Sequence, residues 1–80
     1  MFVNKDLSVI AYANGFTLWH YTTKDEISAV ERDGFFNKVY TLCNTGDIIL
    51  INALDKDGKP TSCIRCMVLE NGTVKLTNLK

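Results

Sequence analysis

The sequence predicts a small α+β, mostly β domain: about five antiparallel strands forming a small sheet or partly open barrel, with one short helix over about 24–32. Three features point there. Asn-Gly pairs at Asn14-Gly15 and Asn71-Gly72 each separate two β-forming runs, which is a hairpin signal because a type I′ turn needs positive φ at both central residues. Thr23 and Glu26 have the T-x-x-E spacing of a capping box, in which each side chain satisfies an orphan helix amide. Residues 48–51 read Ile-Ile-Leu-Ile without alternation, as a strand buried on both faces does. A chain of 80 residues has room for one domain, placed at 7–80 behind an N-terminal arm over 1–6.

Taken in order, residues 7–13 and 16–22 form the first hairpin, with Ala13 opposite Phe16, Ala11 opposite Leu18 and Ile10 opposite Trp19. Both of its faces carry apolar side chains. The helix follows, with Asp25 and Glu26 in its first turn, Arg32 near its end and Gly34 as the left-handed residue that closes it. Its apolar stripe, Ile27 with Val30, is narrow, and Phe35 and Phe36 complete the patch. Asn37 starts a short helical turn, residues 44–47 form a turn, and 48–51 make a central strand. A polar loop over 55–60 leads through Pro60 into a strand over 61–69.

The last hairpin admits two registers. A two-residue Asn71-Gly72 loop sets Val68 opposite Lys75, mixing apolar and polar residues on one face. A three-residue loop, Glu70-Asn71-Gly72 with Gly72 in a G1 bulge, pairs Val68 with Val74 and Cys66 with Leu76. The second gives a uniform core face of Ile64, Cys66, Val68, Val74 and Leu76, and is the expected one.

Charge and cysteine content narrow the partners. Lys+Arg 9 against Asp+Glu 9 gives a net charge of +0, so there is no basic excess to neutralise phosphates, and neither nucleic acid nor a membrane surface is an expected partner. The longest apolar run is too short to span a bilayer, and the N-terminus lacks the pattern of a signal peptide. Three cysteines, Cys43, Cys63 and Cys66, are an odd number that fits a reducing cytoplasm at synthesis better than a disulfide framework. At 46% hydrophobic residues the chain is globular, but its core is thin and unreinforced, which favours association with other chains.

Catalytic chemistry has little to stand on. His20 is the only histidine and reads as a packed or hydrogen-bonded strand residue; no motif supports a dyad with Cys43. Ser8 and Ser62 lack a nucleophile-elbow context. Cys63-Ile64-Arg65-Cys66 has the C-x-x-C form, but residues three apart in a strand point to opposite faces, and no helix N-terminus lowers a thiol pKa. Asp55-x-Asp57-Gly58 lacks the later ligands of a calcium loop. The reading is therefore no catalytic residue, no metal and no cofactor. The competing one is a small zinc- or thiol-dependent regulator built on Cys43, Cys63, Cys66 and His20.

One stretch resembles a known group. Asn14-Gly15-Phe16-Thr17-Leu18-Trp19-His20-Tyr21-Thr22-Thr23-Lys24-Asp25, then Gly34-Phe35-Phe36-Asn37 and Gly46-Asp47-Ile48-Ile49, resemble the N-G-F-x-L-W-x-Y-x-T-x-D, G-[YF]-F-N and G-D-x-I steps of small proteins from tailed bacteriophages and prophages. The resemblance covers roughly 7–52; the cysteines are not part of its pattern, and the C-terminal hairpin matches only in its β character. It implies a virion structural protein and not an enzyme: a capsid decoration, or cement, protein on the capsid exterior. Such proteins commonly form trimers and clamp neighbouring major capsid protein subunits. A head or tail fibre base component is the alternative within the virion. On this reading Phe2, Val3, Trp19, Tyr21 and Met67 are the candidate interface residues.

Overall fold

The computed structural model describes residues 2–13 and 15–78. Five strands, β1 (Leu7–Ala13), β2 (Phe16–Glu26), β3 (Ile48–Leu54), β4 (Pro60–Glu70) and β5 (Thr73–Thr77), form one sheet ordered β1-β2-β3-β4-β5. One helix, α1 (Ile27–Val30), and 3-10 turns at Asn4–Asp6 and Asn37–Val39 accompany it. The class is mostly β α+β, as expected, and the sheet is open, with β1 and β5 at its edges.

One seam departs from the all-antiparallel expectation. β2 and β3 run parallel, with Leu18 beside Ile48 and Tyr21 beside Ile51, while the other three pairs are antiparallel. Parallel neighbours need a crossover connection, and residues 27–47 supply it. That crossover passes over one face of the sheet, where Val30, Phe36, Val39 and Cys43 pack on Trp19, Tyr21, Ile49, Ile51 and Met67.

The helix is shorter than predicted. β2 continues to Glu26, because the β-branched Thr22 pairs with Asn52 on β3 and Glu26 with Leu54. Thr23 does not cap a helix; its hydroxyl accepts the Asp25 amide at 3.1 Å within the strand's last turn. Sheet pairing outcompetes the local capping signal, leaving α1 four residues long with no side-chain cap. Gly34 does adopt positive φ (89°), and its amide donates to the Val74 carbonyl at 2.9 Å, so its role is to anchor the crossover to β5.

The hairpins also refine the reading. In the first, Ala13–Phe16 and Ala11–Leu18 pair as expected, but a register shift at Ile10 places Val9, not Ile10, opposite Trp19. Gly15 has φ 82°; Asn14, and Met1 of the arm, lie outside the described residues. The C-terminal hairpin takes the two-residue register and not the expected three-residue one. Val68 pairs with Lys75 and Cys66 with Thr77 around a two-residue turn with Asn71 at φ 49° and Gly72 at φ 82°. The reason is that the core face of β4 is the other one: Met67, fully buried, pairs with Leu76, and Leu69 pairs with Val74. Lys75 is solvated and reaches Glu70 at 2.8 Å.

The arm residues are docked. Phe2 stacks on Tyr21 at 5.4 Å between ring centroids and meets Phe36 edge-on at 5.5 Å, while the Val3 amide donates to the Tyr21 hydroxyl at 3.0 Å. Phe35 joins them, 5.0 Å from Phe36 and 5.8 Å from Tyr21. Offset and edge-on contacts of this kind add to the burial of the rings themselves.

The register makes a direct prediction. Met67→Ala removes a fully buried side chain and should cost about 2–5 kcal/mol in urea unfolding. Ile64→Ala, on the opposite face and 46% exposed, should change stability by about 0.5 kcal/mol or less.

Candidate functional site

Alternation along the strands divides the sheet into two unlike faces. Thr17, Trp19, Tyr21, Ile49, Ile51, Ala53, Met67 and Val74 point under the crossover and are buried. Among the described residues, no strand residue of the other face is buried to that degree.

The closed face is organised around Asp47, which is fully buried. One carboxylate oxygen accepts the Thr17 amide at 3.0 Å; the other accepts the Trp19 indole N–H at 3.0 Å and the Asn44 amide at 3.0 Å. The Asp47 carbonyl accepts the Met67 amide at 2.8 Å. A buried carboxylate needs such a set of donors, since an unpaired one is costly to desolvate. Its chemistry is therefore structural: every contact is a fixed N–H of the chain itself.

The open face carries two apolar rows across neighbouring strands. One runs Ala11, Leu18, Ile48, Cys66; the next contains Leu50 and Ile64. Leu18, Ile48 and Leu50 are half-buried by their neighbours, whereas Phe16 (36%) and Ile64 (46%) are exposed. Val68 extends the patch toward β5.

At one end of this face the character changes. Asn52 lies between Thr22 and Ser62, one residue pair beyond the row that holds His20. Ser62 donates to the Asn52 Oδ1 at 2.6 Å, which fixes the orientation of the amide. The Asn52 Nδ2 then donates to His20 Nε2 at 3.2 Å and to the Thr22 hydroxyl at 3.3 Å, and Thr22 Oγ1 lies 2.7 Å from the same His20 nitrogen. In this network Nε2 faces the N–H of the Asn52 amide and the Thr22 hydroxyl. His20 thus contacts an amide and a hydroxyl already engaged with each other, and Ser62 bonds Asn52 and not His20.

The cysteines do not converge. Cys63 lies on the closed side near Glu31 (4.0 Å), Cys66 on the open side, and Cys43 is a buried residue of the crossover itself. Among the described residues no three His, Cys, Asp or Glu side chains are arranged to hold a metal ion. Burial, then the neighbouring Asp47 charge, pushes the Cys43 thiol up to about 11. Burial also raises Cys63, where the Glu31 charge adds to the effect and the Arg65 charge opposes it. Arg65 and Glu31 form a half-buried pair, with Nη2 at 2.6 Å and Nε at 2.8 Å from one carboxylate oxygen, joining the end of α1 to β4. In the polar loop, the amides of Asp57 and Lys59 both donate to Asp55 Oδ1 at 2.9 Å, so that oxygen serves the turn.

The five candidate interface residues need correction. Phe2 and Trp19 (8% exposed each), and Tyr21 and Met67 (0%), belong to the core of a single chain and present almost no surface to a partner; only Val3, 38% exposed, is accessible. The expected register of the last hairpin turns Met67 outward, and a first hairpin apolar on both faces leaves Trp19 and Tyr21 as interface candidates. The residues that the sequence reading passed over, Leu18, Leu50, Ile64 and Val68, alternate with the buried ones, and a crossover covers one face only. Strand parity combined with the long 27–47 connection was the signal that could have found them.

A shallow cleft of about 450 Å³ lies between the Asn4–Asp6 turn and the end of β2. It mixes Lys5 and Lys24 with Asp6 and Asp25, so it favours neither an anion nor a cation by charge. No helix among the described residues is long and apolar enough to cross a membrane. Comparison of the chain with protein-family models, with curated proteins and with solved structures finds no match.

Two outcomes follow from the closed face. Asp47→Asn keeps one acceptor oxygen and turns an NH2 toward N–H donors, and should lower stability by about 3 kcal/mol in urea unfolding. The second concerns Cys43. Its thiol titrates near 11 in the fold against 9.0 for an ordinary cysteine, so unfolding releases a proton between those values. Its contribution should be constant below about pH 9 and be lost as pH rises toward about 11. Stability should therefore fall less over that window in Cys43→Ala than in the wild type.

Proposed function

We propose that this is a non-catalytic assembly protein that works by burying the open sheet face against another protein, and that the assembly is a phage head. On this reading it is a capsid decoration, or cement, protein: it acts as a homo-oligomer, sits on the outside of the capsid and bridges major capsid protein subunits. The observation that carries the reading is the asymmetry of the sheet. One face is closed by the chain's own crossover, while among the described residues none covers Phe16, Leu18, Ile48, Leu50, Ile64 and Val68 on the other. A contiguous apolar patch on a small domain marks an interaction surface, and the polar cluster of His20, Thr22, Asn52 and Ser62 at its end supplies hydrogen-bonding groups for a rim.

The resemblance to small tailed-phage proteins supplies the phage context. The residues that carry it fit a shared scaffold: Trp19 bonds Asp47, Tyr21 packs on Phe35 and Phe36, and Asn37 accepts the Val74 amide at 2.8 Å. A net charge of +0 suits many copies crowded on one shell, since neutral subunits do not repel each other at long range.

Cosedimentation with undecorated phage heads tests this. Wild-type protein should bind in many copies per head, and Leu50→Glu combined with Ile64→Lys should weaken binding by about tenfold or more with an unchanged circular dichroism spectrum. Failure of the wild type to bind heads, or equal binding by the variant, overturns the proposal.

A further inference from the structure

The two edges of the sheet are built differently. An edge strand leaves one side of its backbone unpaired, and proteins blunt that hazard with short strands, charged side chains, proline or bulges. β5 follows the rule: it has five residues with Lys75 at its centre. β1 does not. Its seven residues, Leu-Ser-Val-Ile-Ala-Tyr-Ala, contain no charge and no proline. The single blunting device is the register shift between Val9 and Ala11, which leaves the stretches on either side regular. Val9 is 53% exposed, Ile10 51% and Tyr12 70%. An unpaired backbone edge and a row of exposed apolar side chains therefore coincide on one strand.

We propose that β1 is a pairing edge and that its occupant is β1 of a second copy, antiparallel across a two-fold axis, joining two five-stranded sheets into one of ten. Charge selects this occupant. In a two-fold pair each residue meets residues of its own strand, so any charge in the strand meets its own sign. β1 has none along its whole length, whereas the same arrangement at β5 would bring Lys75 toward its copy. A net charge of +0 adds no long-range repulsion between whole chains, and isologous two-fold contacts are the commonest in homo-oligomers. Backbone bonds across the edge supply affinity, and Val9, Ile10 and Tyr12 of both copies supply the buried apolar area.

The two-fold axis of an antiparallel pair is perpendicular to the sheet, so both open faces lie on the same side of the dimer. Resting on the decoration reading, this means that one dimer offers a capsid two copies of the open face at once and gains by the linkage.

Sedimentation of the full chain over a range of concentrations tests the pairing. The wild type should dimerise. Val9→Lys combined with Tyr12→Lys, both at exposed positions, should raise the dimer dissociation constant by about tenfold or more, while Leu50→Glu on the open face should leave it unchanged. A wild type that stays monomeric at the highest reachable concentration, or a dimer lost on Leu50→Glu and kept in the β1 variant, overturns the proposal. Hydrogen exchange of the wild type gives a reading that needs no variant: amides of residues 7–13 should exchange more slowly as concentration rises, and no change contradicts the pairing. Head binding is measured separately, so failure of the dimer and failure of the decoration reading remain distinct results.

Discussion

The Asp47 carboxylate is the constraint on which the rest of this fold depends. It sits at the point where the crossover re-enters the sheet, and its two oxygens hold β2 through Thr17 and Trp19 and the last turn of the crossover through Asn44. Its own carbonyl holds β4 through Met67. A parallel seam has no tight turn to set its register, and closing a long connection costs chain entropy that local contacts do not repay. Desolvating a carboxylate is likewise expensive unless its acceptor sites are filled. The two costs have one solution here, because the carboxylate is satisfied only when β2, the crossover and the start of β3 are in place together.

Closing one face in this way determines what the other face is. The crossover, the docked Phe2 and the aromatic cluster of Tyr21, Phe35 and Phe36 all lie on the Asp47 side. Among the described residues no segment covers the opposite side, where Leu18, Ile48 and Leu50 are half-buried and Ile64 is exposed. The described residues form a two-layer structure, sheet and crossover, and on the proposed reading the third layer comes from another molecule. Its apolar content of 46% is more than one buried face uses, and the remainder lies on the open face and along β1.

Much of the fold was legible from local chemistry. Both Asn-Gly pairs lie between strands that do form hairpins, the 48–51 run is in the central strand, and Gly34 has the positive φ assigned to it. What local chemistry could not show is which pairing wins when two are possible. Thr23 and Glu26 satisfy the capping-box spacing, yet β3 pairs with Thr22 and Glu26 on either side of a register shift and keeps the stretch in the strand. Val68 looked like a core residue because Cys66 and Ile64 flank it at period two; Met67, one position away, is the residue the crossover covers. The same parity error put Trp19, Tyr21 and Met67 on the candidate interface. Strand parity becomes readable only when one knows which face is covered, and that depends on the parallel seam, a property of pairing direction that composition does not encode.

The Trp19 indole N–H offers the most direct measurement of the central claim, because it is a single proton bonded to the buried Asp47 carboxylate. Its exchange with solvent can be followed by NMR alongside the slowest backbone amides. If the carboxylate ties the seam together, the indole proton is released only when the whole domain unfolds, and it should exchange at the rate of the slowest amides of β2 and β3. Exchange as fast as that of an exposed indole, with those amides still protected, would contradict the account.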